Sequence, residues 1–449
     1  MLPASDDALF YPFEVDDYVG WHGPFDPENP MNWPRWKRLG HVAWVSIIIF
    51  LVNVSSTMFA PGAGRLMADF HQTSSTIGTL TVSIFLLGLA LGPLVISPFS
   101  ELYGRLYVYH VSVAAYIAFI LACAWSEDIT SFLVFRFLAG CAGSSPLTIS
   151  GGTVADVIPV EQRGMSMAMM AIGPILGPVV GPVAGGFVSQ SLGWRWTYWI
   201  VAIAAVIWLV VAMIFMRETY ARTLLERKAA LLRKTTGNPA LLVKGHEQLS
   251  PLVHLTNGLA RPVKLLLFSP VVLLLSIYVA LIFGLLFLCL STYSTVFIKQ
   301  YHFTIGTSGL AFLGQGTGML TGLIMFGILS DKILKAKGAA GHNGRMTPED
   351  RLPLMVYFAP VLPIGFFVYG WTVETNVHWM APIIGTSFIG IGALFVMLPA
   401  QIYLVDAFGA EAASSALAAN TLLRSLCGTL LPLAAPHLFG VRAGAITIL

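Results

Sequence analysis

Two arginines, Arg136 and Arg424, stand inside long apolar runs, the first in Arg136-Phe137-Leu138-Ala139-Gly140 and the second in Asn420-Thr421-Leu422-Leu423-Arg424-Ser425. A guanidinium there costs roughly 2.5 to 3.5 kcal/mol on membrane-insertion scales, so each should face the protein interior or a wet cavity. Satisfying helix carbonyls is the plainer use of either. Carboxylates come close to the apolar runs only at their ends: Glu101, Asp156, Asp331 and Asp406. Asp156 is the first choice for reversible protonation because it shares a run with Arg136, although a capping role fits any of them. There is no nucleophile-elbow sequence, no His/Cys metal spacing and no phosphate-binding Gly-rich loop with Lys. Residue types of this kind suit the movement of charge and protons more than the making of bonds. The chain is therefore expected to be no enzyme, to carry no metal or cofactor, and not to use ATP directly. Cys123, Cys141, Cys289 and Cys427 all fall in apolar runs and read as packing residues.

The elements that position these residues follow from composition. The 449-residue chain is 56% hydrophobic and 10% charged, far below the roughly 25% charge of a soluble domain. Its charges are also clustered, which leaves His41 to Pro61 and Trp196 to Met216 without any. Such runs cross a bilayer as helices, since ~20 residues at ~1.5 Å rise span the ~30 Å core. They are apolar on every face, which excludes the alternating strands of a membrane barrel. Eleven spans are predicted, at about 41-61, 76-97, 107-125, 131-155, 164-188, 194-216, 265-290, 307-329, 353-373, 379-403 and 411-435.

Arg217 to Lys264 is the one long polar stretch, with nine basic and three acidic residues. It divides the chain into 41-216, with six spans, and 265-449, with five. Residues 1-40 are polar and are expected to be a disordered cytoplasmic tail. Placing that tail inside puts nineteen Lys and Arg on inner segments and leaves four outside, as the positive-inside rule requires. Within the linker, Arg222 to Lys234 sets Leu224, Leu225, Leu231 and Leu232 on one helical face. Such a helix either lies on the inner leaflet or is a solvated linker. The +3 net charge gives no sign of nucleic-acid binding.

Glycine spacing adds a second kind of motif. The fifth span carries Gly173-Pro174, Gly177-Pro178, Gly181-Pro182 and Gly185-Gly186; the eighth carries Gly314, Gly318 and Gly322. A glycine every four residues forms a smooth stripe that lets another helix approach backbone to backbone, and the prolines add kinks. The two stripes are expected to meet at a sliding interface between the halves, where Gly181→Leu should abolish export and leave surface expression intact. Generic small-residue packing is the alternative.

These motifs resemble the major facilitator superfamily, and within it the fungal branch of twelve-span drug:proton antiporters. The resemblance runs from about Asp26 to Pro436 and begins with Asp26-Pro27-Glu28-Asn29-Pro30-Met31-Asn32-Trp33-Pro34, similar to that branch's pre-membrane signature. Ser97 to Arg105 resembles the loop motif between spans two and three, with Glu101 in the usual Asp position and Gly104-Arg105 intact. A carboxylate there can close the inner face by sitting against the N-terminal end of a facing helix; Leu102 and Leu106 stand where further bases are common. Gly327 to Lys332, with Asp331, is a weaker echo after the eighth span. The fifth-span stripe is similar to the antiporter motif, and Arg136 matches an arginine to which the family assigns a part in proton transfer.

What the resemblance implies is an all-α integral membrane protein of the major facilitator fold, with two pseudo-symmetric six-helix halves. The second half is expected to lack its last helix, because His437 to Leu449 is too short to cross again. The implied cavity is lined by spans one, four, seven and ten: Asn53, Ser55 and Ser56; Tyr278, Phe283, Phe287 and Tyr293; and Gln401. That wall suits bulky, mostly apolar ligands, although such residues also pack helices. The expected function is proton-coupled export of small hydrophobic molecules by a monomer in the plasma membrane, its partners being the substrate, protons and the lipid bilayer. A nutrient symporter and a truncated, non-transporting membrane sensor are the alternatives. For the symporter the sequence shows no sugar-type polar cavity.

Overall fold

The computed structural model describes residues 18–23, 25–159, 162–239, 241–243, 251–339, 349 and 352–434. Among the described residues eleven helices are long and apolar enough to cross a membrane. They are Arg35–Asp69, Ser75–Tyr103, Arg105–Trp125, Ile129–Val157, Met165–Ser191 and Arg195–Phe215, then Pro270–Tyr301, Ile305–Ser330, Leu352–Glu374, Met380–Phe408 and Ser415–Leu433. The chain is a multi-pass, all-α membrane protein. Local chemistry sets the helix starts: Ser74 and Asp128 accept from the N–H groups of Ile77 and Ser131, relieving donors that no helical turn can pair. Gly104, at φ +91°, separates spans two and three.

The seventh span is displaced from 265-290 to Pro270–Tyr301, after a separate helix Pro251–Phe268. Pro270 restarts the helix because a proline at its first position forfeits no internal hydrogen bond. Spans ten and eleven lie in one helical stretch, Met380–Leu433. Leu404 and Ala416 fall in one buried cluster with Val272 of span seven. Residues 435–449, on which the expected lack of a twelfth span turns, lie outside the described residues.

The sixth span shows why these helices belong in lipid. Ile203, Val206, Ile207, Val210 and Ile214 are all exposed on one face, while Val201, Ala205, Trp208 and Ala212 are buried on the other. A helix apolar all round with one face uncovered has an apolar solvent. Two large buried clusters lie within the molecule, one drawn from spans one to six and the other mainly from spans seven to ten.

Outside the spans, the described part of the N-terminal segment and the linker are packed against each other. Residues 18–40 are built into the structure wherever they are described. Tyr18–Val19 (β1) pairs in parallel with Leu242–Val243 (β2), and Lys228 holds both Asp26 and Glu28, at 3.5 and 2.8 Å. The linker helix Ala221–Thr236 also turns Leu225 and Leu232 onto Val19 and Val243. Only Leu231 of that face is fully exposed. The apolar stripe has found its cover in the chain's own N-terminal segment.

Candidate functional site

Contacts between loops separate two ends of the bundle. At one, the linker face, lie the N-terminal segment, the linker and the loop between spans two and three. At the far face Asp69 accepts from Trp194 Nε1 at 2.8 Å, and Arg65 donates to the carbonyl of Ser189.

Arg136 sits in the fourth span, fully buried. Its Nη2 donates to the carbonyls of Ser55 and Ser56, at 3.1 and 2.9 Å. Those carbonyls belong to the last turn of the first helix, Arg35–Met58, where the Phe59 N–H turns to Thr57 instead of Ser55. A cation at that negative end is favourable. The guanidinium also lies 4.9 Å from the centroid of Phe85, 5.4 Å from Tyr198 and 5.9 Å from Phe59, attracted by the ring faces. Its Nε and Nη1 have no acceptor among the described residues.

Asp156 does not join Arg136. It lies at the other end of the same span, where its Oδ2 is 3.5 Å from Arg105 Nε and 3.4 Å from Thr219 Oγ1. The reason is length: twenty residues at ~1.5 Å each put the two side chains ~30 Å apart. Arg105 is the hub of this cluster, with Nη1 on Ser100 Oγ at 2.7 Å and its guanidinium 4.7 Å from the Tyr220 ring. A Cβ on Gly152 would come within 2.7 Å of Arg105 Nη2, so that glycine makes the room.

The carboxylate that caps a facing helix is not Glu101, which is exposed and without a partner among the described residues. It is Glu218, unremarked in the sequence. Buried to 4% exposure, it accepts from the N–H groups of Arg105 and Leu106, opening the third span, at 3.0 and 3.2 Å. It also accepts from Thr219 and Tyr220. Gly104 permits this: a side chain there would meet Glu218 Oε2. The only sequence signal was an acid two residues past the sixth span. The side chain of Asp331 lies outside the described residues, and Asp406 is exposed at the end of span ten.

The glycine stripes do not face each other. Cβ atoms at Gly173, Gly177, Gly181 and Gly185 would meet Ile49 and Phe50, Asn53 and Val54, Thr57 and Val54, and Met58. The fifth-span stripe therefore lies on the first span. Gly314, Gly318 and Gly322 meet Ile383 and Thr386, Ser387, and Ile391 on the tenth span. Each stripe binds helices of one cluster, because a stripe running the length of a helix makes a continuous contact. Spans five and eight do meet, but through other glycines, from the far face to the middle of the two helices. Gly186 meets Ile305, Gly309 meets Pro182 and Gly316 meets Val179, and the Gly306 N–H donates to Gln190 Oε1 at 2.6 Å.

Of the expected cavity residues, Asn53 donates back to Ile49 O at 2.8 Å and lies on the first–fifth seam. Tyr293 is not available as a cavity wall. It is fully buried, its hydroxyl donating to Gln315 Oε1 at 3.0 Å, because a phenol in an apolar core must find an acceptor. Phe287 is also buried, against Phe283 at 4.8 Å. Tyr278, Phe283 and Gln401 are half-buried, and Arg424 lies over the Phe283 ring at 4.9 Å.

Comparison with known proteins now adds to this geometry. The sequence model of the Major Facilitator Superfamily matches residues 45–432. The chain is 54% identical over 422 residues to mpsC, an MFS-type transporter of Macrophomina phaseolina, covering 94% of this chain and 82% of the relative. It is 51% identical over 438 residues to the MFS transporter fsa7 of a Fusarium species, covering 97% and 85%. Among solved structures it is similar to a D-xylose–proton symporter, with TM-score 0.66, 16% identity and 89% and 90% coverage. It also resembles a bacterial homologue of the human lysosomal transporter Spinster, with TM-score 0.64, 15% identity and 91% and 84% coverage. The fold is that of these transporters, and the chain belongs to the Major Facilitator Superfamily.

Proposed function

We propose that this membrane transporter is a proton-coupled exporter of small hydrophobic organic molecules, of the fungal drug:proton antiporter branch. It works as a monomer in the plasma membrane with its linker face in the cytoplasm. Residues 41-216 and 265-449 act as the two moving halves, and 217-264 joins them. The observation that carries the reading is the position of Asp156. Its carboxylate lies at the linker-face mouth, shared by Arg105 and Thr219, at the end opposite the seam where spans five and eight meet. Protonating it removes the charge that holds Arg105, so one proton alters the contacts of spans two, three and four together. Arg136, tied to the first span by carbonyls, keeps spans one and four in register while this happens. Gln190 and the far-face glycines close the opposite end, as alternating access requires.

The test is transport in everted vesicles, using a panel of radiolabelled hydrophobic compounds, neutral and acidic. Accumulation should follow an imposed pH gradient, survive ATP depletion and fall at least about tenfold in Asp156→Asn, the general range for removing one proton-transfer group being roughly 100-fold or more. Uptake that ignores the gradient sinks the antiporter reading.

A further inference from the structure

Asn420, Arg424 and Gly428 on the eleventh span are four residues apart and so share one face of the helix. Contacts locate that face. A Cβ on Gly428 would lie 2.9 Å from Phe283 of span seven and 3.1 Å from Leu86 of span two. Beside it Thr429 Oγ1 donates to the carbonyl of Ser83 at 3.4 Å. The stripe thus looks onto the seam where the two buried clusters meet, and Leu89 packs against both.

Charge is unbalanced at this seam. Arg424 Nε is buried without an acceptor among the described residues, and no carboxylate among them pairs with its guanidinium. The residue as a whole is half-buried, although Nε is sealed. Arg136 solves the same problem with two carbonyls and three rings; Arg424 has one ring, that of Phe283. One turn away the Asn420 side chain is 2% exposed and its Oδ1 also lacks a partner. Since amide oxygen and nitrogen exchange by a flip, that side chain can equally turn a donor into this space. A desolvated guanidinium short of acceptors is completed by a planar anion, which takes two parallel charge-assisted hydrogen bonds from its fork. Low local dielectric strengthens that pairing and repels a cation.

We propose that Arg424, with Asn420, anchors an organic anion: a carboxylate joined to an apolar body that lies along Phe283. This rests on the reading of the chain as a transporter of small organic molecules, and it gives that reading a substrate class.

The experiment is equilibrium binding to the purified full chain in detergent, followed by fluorescence, of 9-anthracenecarboxylate and its neutral methyl ester. The acid should bind at least about tenfold more tightly than the ester, a difference of about 1.4 kcal/mol. Arg424→Gln should remove that preference while leaving ester affinity unchanged, which also reports a folded site, and Arg424→Lys should fall between. The wild-type comparison stands without either variant. Equal affinity for acid and ester, no acid binding at all, or a preference kept in Arg424→Gln overturns the proposal. The assay needs no pH gradient. A preference for acid without gradient-driven movement therefore defeats the export reading and spares the anchor; driven export without the preference does the reverse.

Discussion

The seam between the first and fifth spans and the seam between the fifth and eighth spans draw glycines from the same helix, at different spacing and against different neighbours. The first uses Gly173, Gly177, Gly181 and Gly185, one per turn, each against the backbone or inner side chains of span one. The second uses Gly186 with Gly306, Gly309 and Gly316, gathered toward one end. A continuous stripe fixes two helices as one body, because every turn contributes close contact that must be lost together. A patch at one end leaves the remaining length free to part. The regular pattern, the more conspicuous one in the sequence, thus makes a continuous contact within one buried cluster, and the irregular one makes a localised contact between spans five and eight.

The sharpest way to break this comparison is Gly181→Leu. A Cβ there already comes to 2.7 Å from Thr57 Oγ1 and Val54 O, inside one half, so the larger side chain must separate spans one and five. Overpacking of this kind costs roughly 1 to 3 kcal/mol, and more against backbone. Monodisperse protein extracted in detergent should drop about tenfold or further. Normal accumulation with lost export would return the stripe to a moving surface.

Gly309→Val probes the other seam and should have a smaller effect on folding. Its side chain would meet the Pro182 carbonyl, penalising only the arrangement in which the far face is closed. Accumulation should stay within about twofold of normal while a cysteine placed at Ser308, fully buried beside that contact, reacts about tenfold faster with an impermeant reagent, the population shift that ~1.4 kcal/mol produces. Unchanged labelling would show that the patch does not hold the far face shut.

The smallest effect concerns the strap that ties the N-terminal segment to the linker between the halves. Burial alone would raise the Asp26 carboxyl, but the N–H groups of His22 and Glu28 and the Lys228 ammonium bring it below its ordinary 3.8. A depressed carboxyl stabilises fully above that ordinary value, and the contribution is lost as pH falls through the lower folded value. Protease cleavage of residues 18–33 should therefore be slow from neutral pH down to about pH 4 and accelerate only below it. Lys228→Met should raise the neutral rate a few-fold, since the Asp26 carboxylate it leaves behind is still held by the N–H groups of His22 and Glu28. A strap already open at pH 7 would leave the linker unrestrained.

Much of the architecture was legible because membrane spans announce themselves by composition. Most spans lie within a few residues of their expected bounds; the first runs longer at both ends, as Arg35–Asp69, the second runs on to Tyr103, and the seventh restarts at Ser269-Pro270, which an apolar window cannot resolve. Arg136 and Arg424 were legible as interior residues because an intramembrane charge has few other places to go. Glu218 was not. It stands in a polar stretch among nine bases, and its importance comes from the third span beginning beside it, over a hundred residues away in sequence. Residues 18–40 misled for the opposite reason. Their polarity reads as disorder, whereas Asp26 and the Asn29 side chain, which accepts from the Met31 N–H, are fixed by local turns and a distant lysine.

The sequence by itself determined that this is a multi-pass membrane protein with eleven membrane-length helices among its described residues, and which residues of each helix are too polar or too small to face lipid. Those properties are local, set by transfer free energies and by the absence of a side chain. Partners were another matter: that Asp156 meets Arg105 and not Arg136, that one glycine stripe lies on span one and the other on span ten, and that Arg424 is left short of acceptors. Only the tertiary structure decided these, because helical periodicity specifies a face but carries no information about which helix comes to cover it.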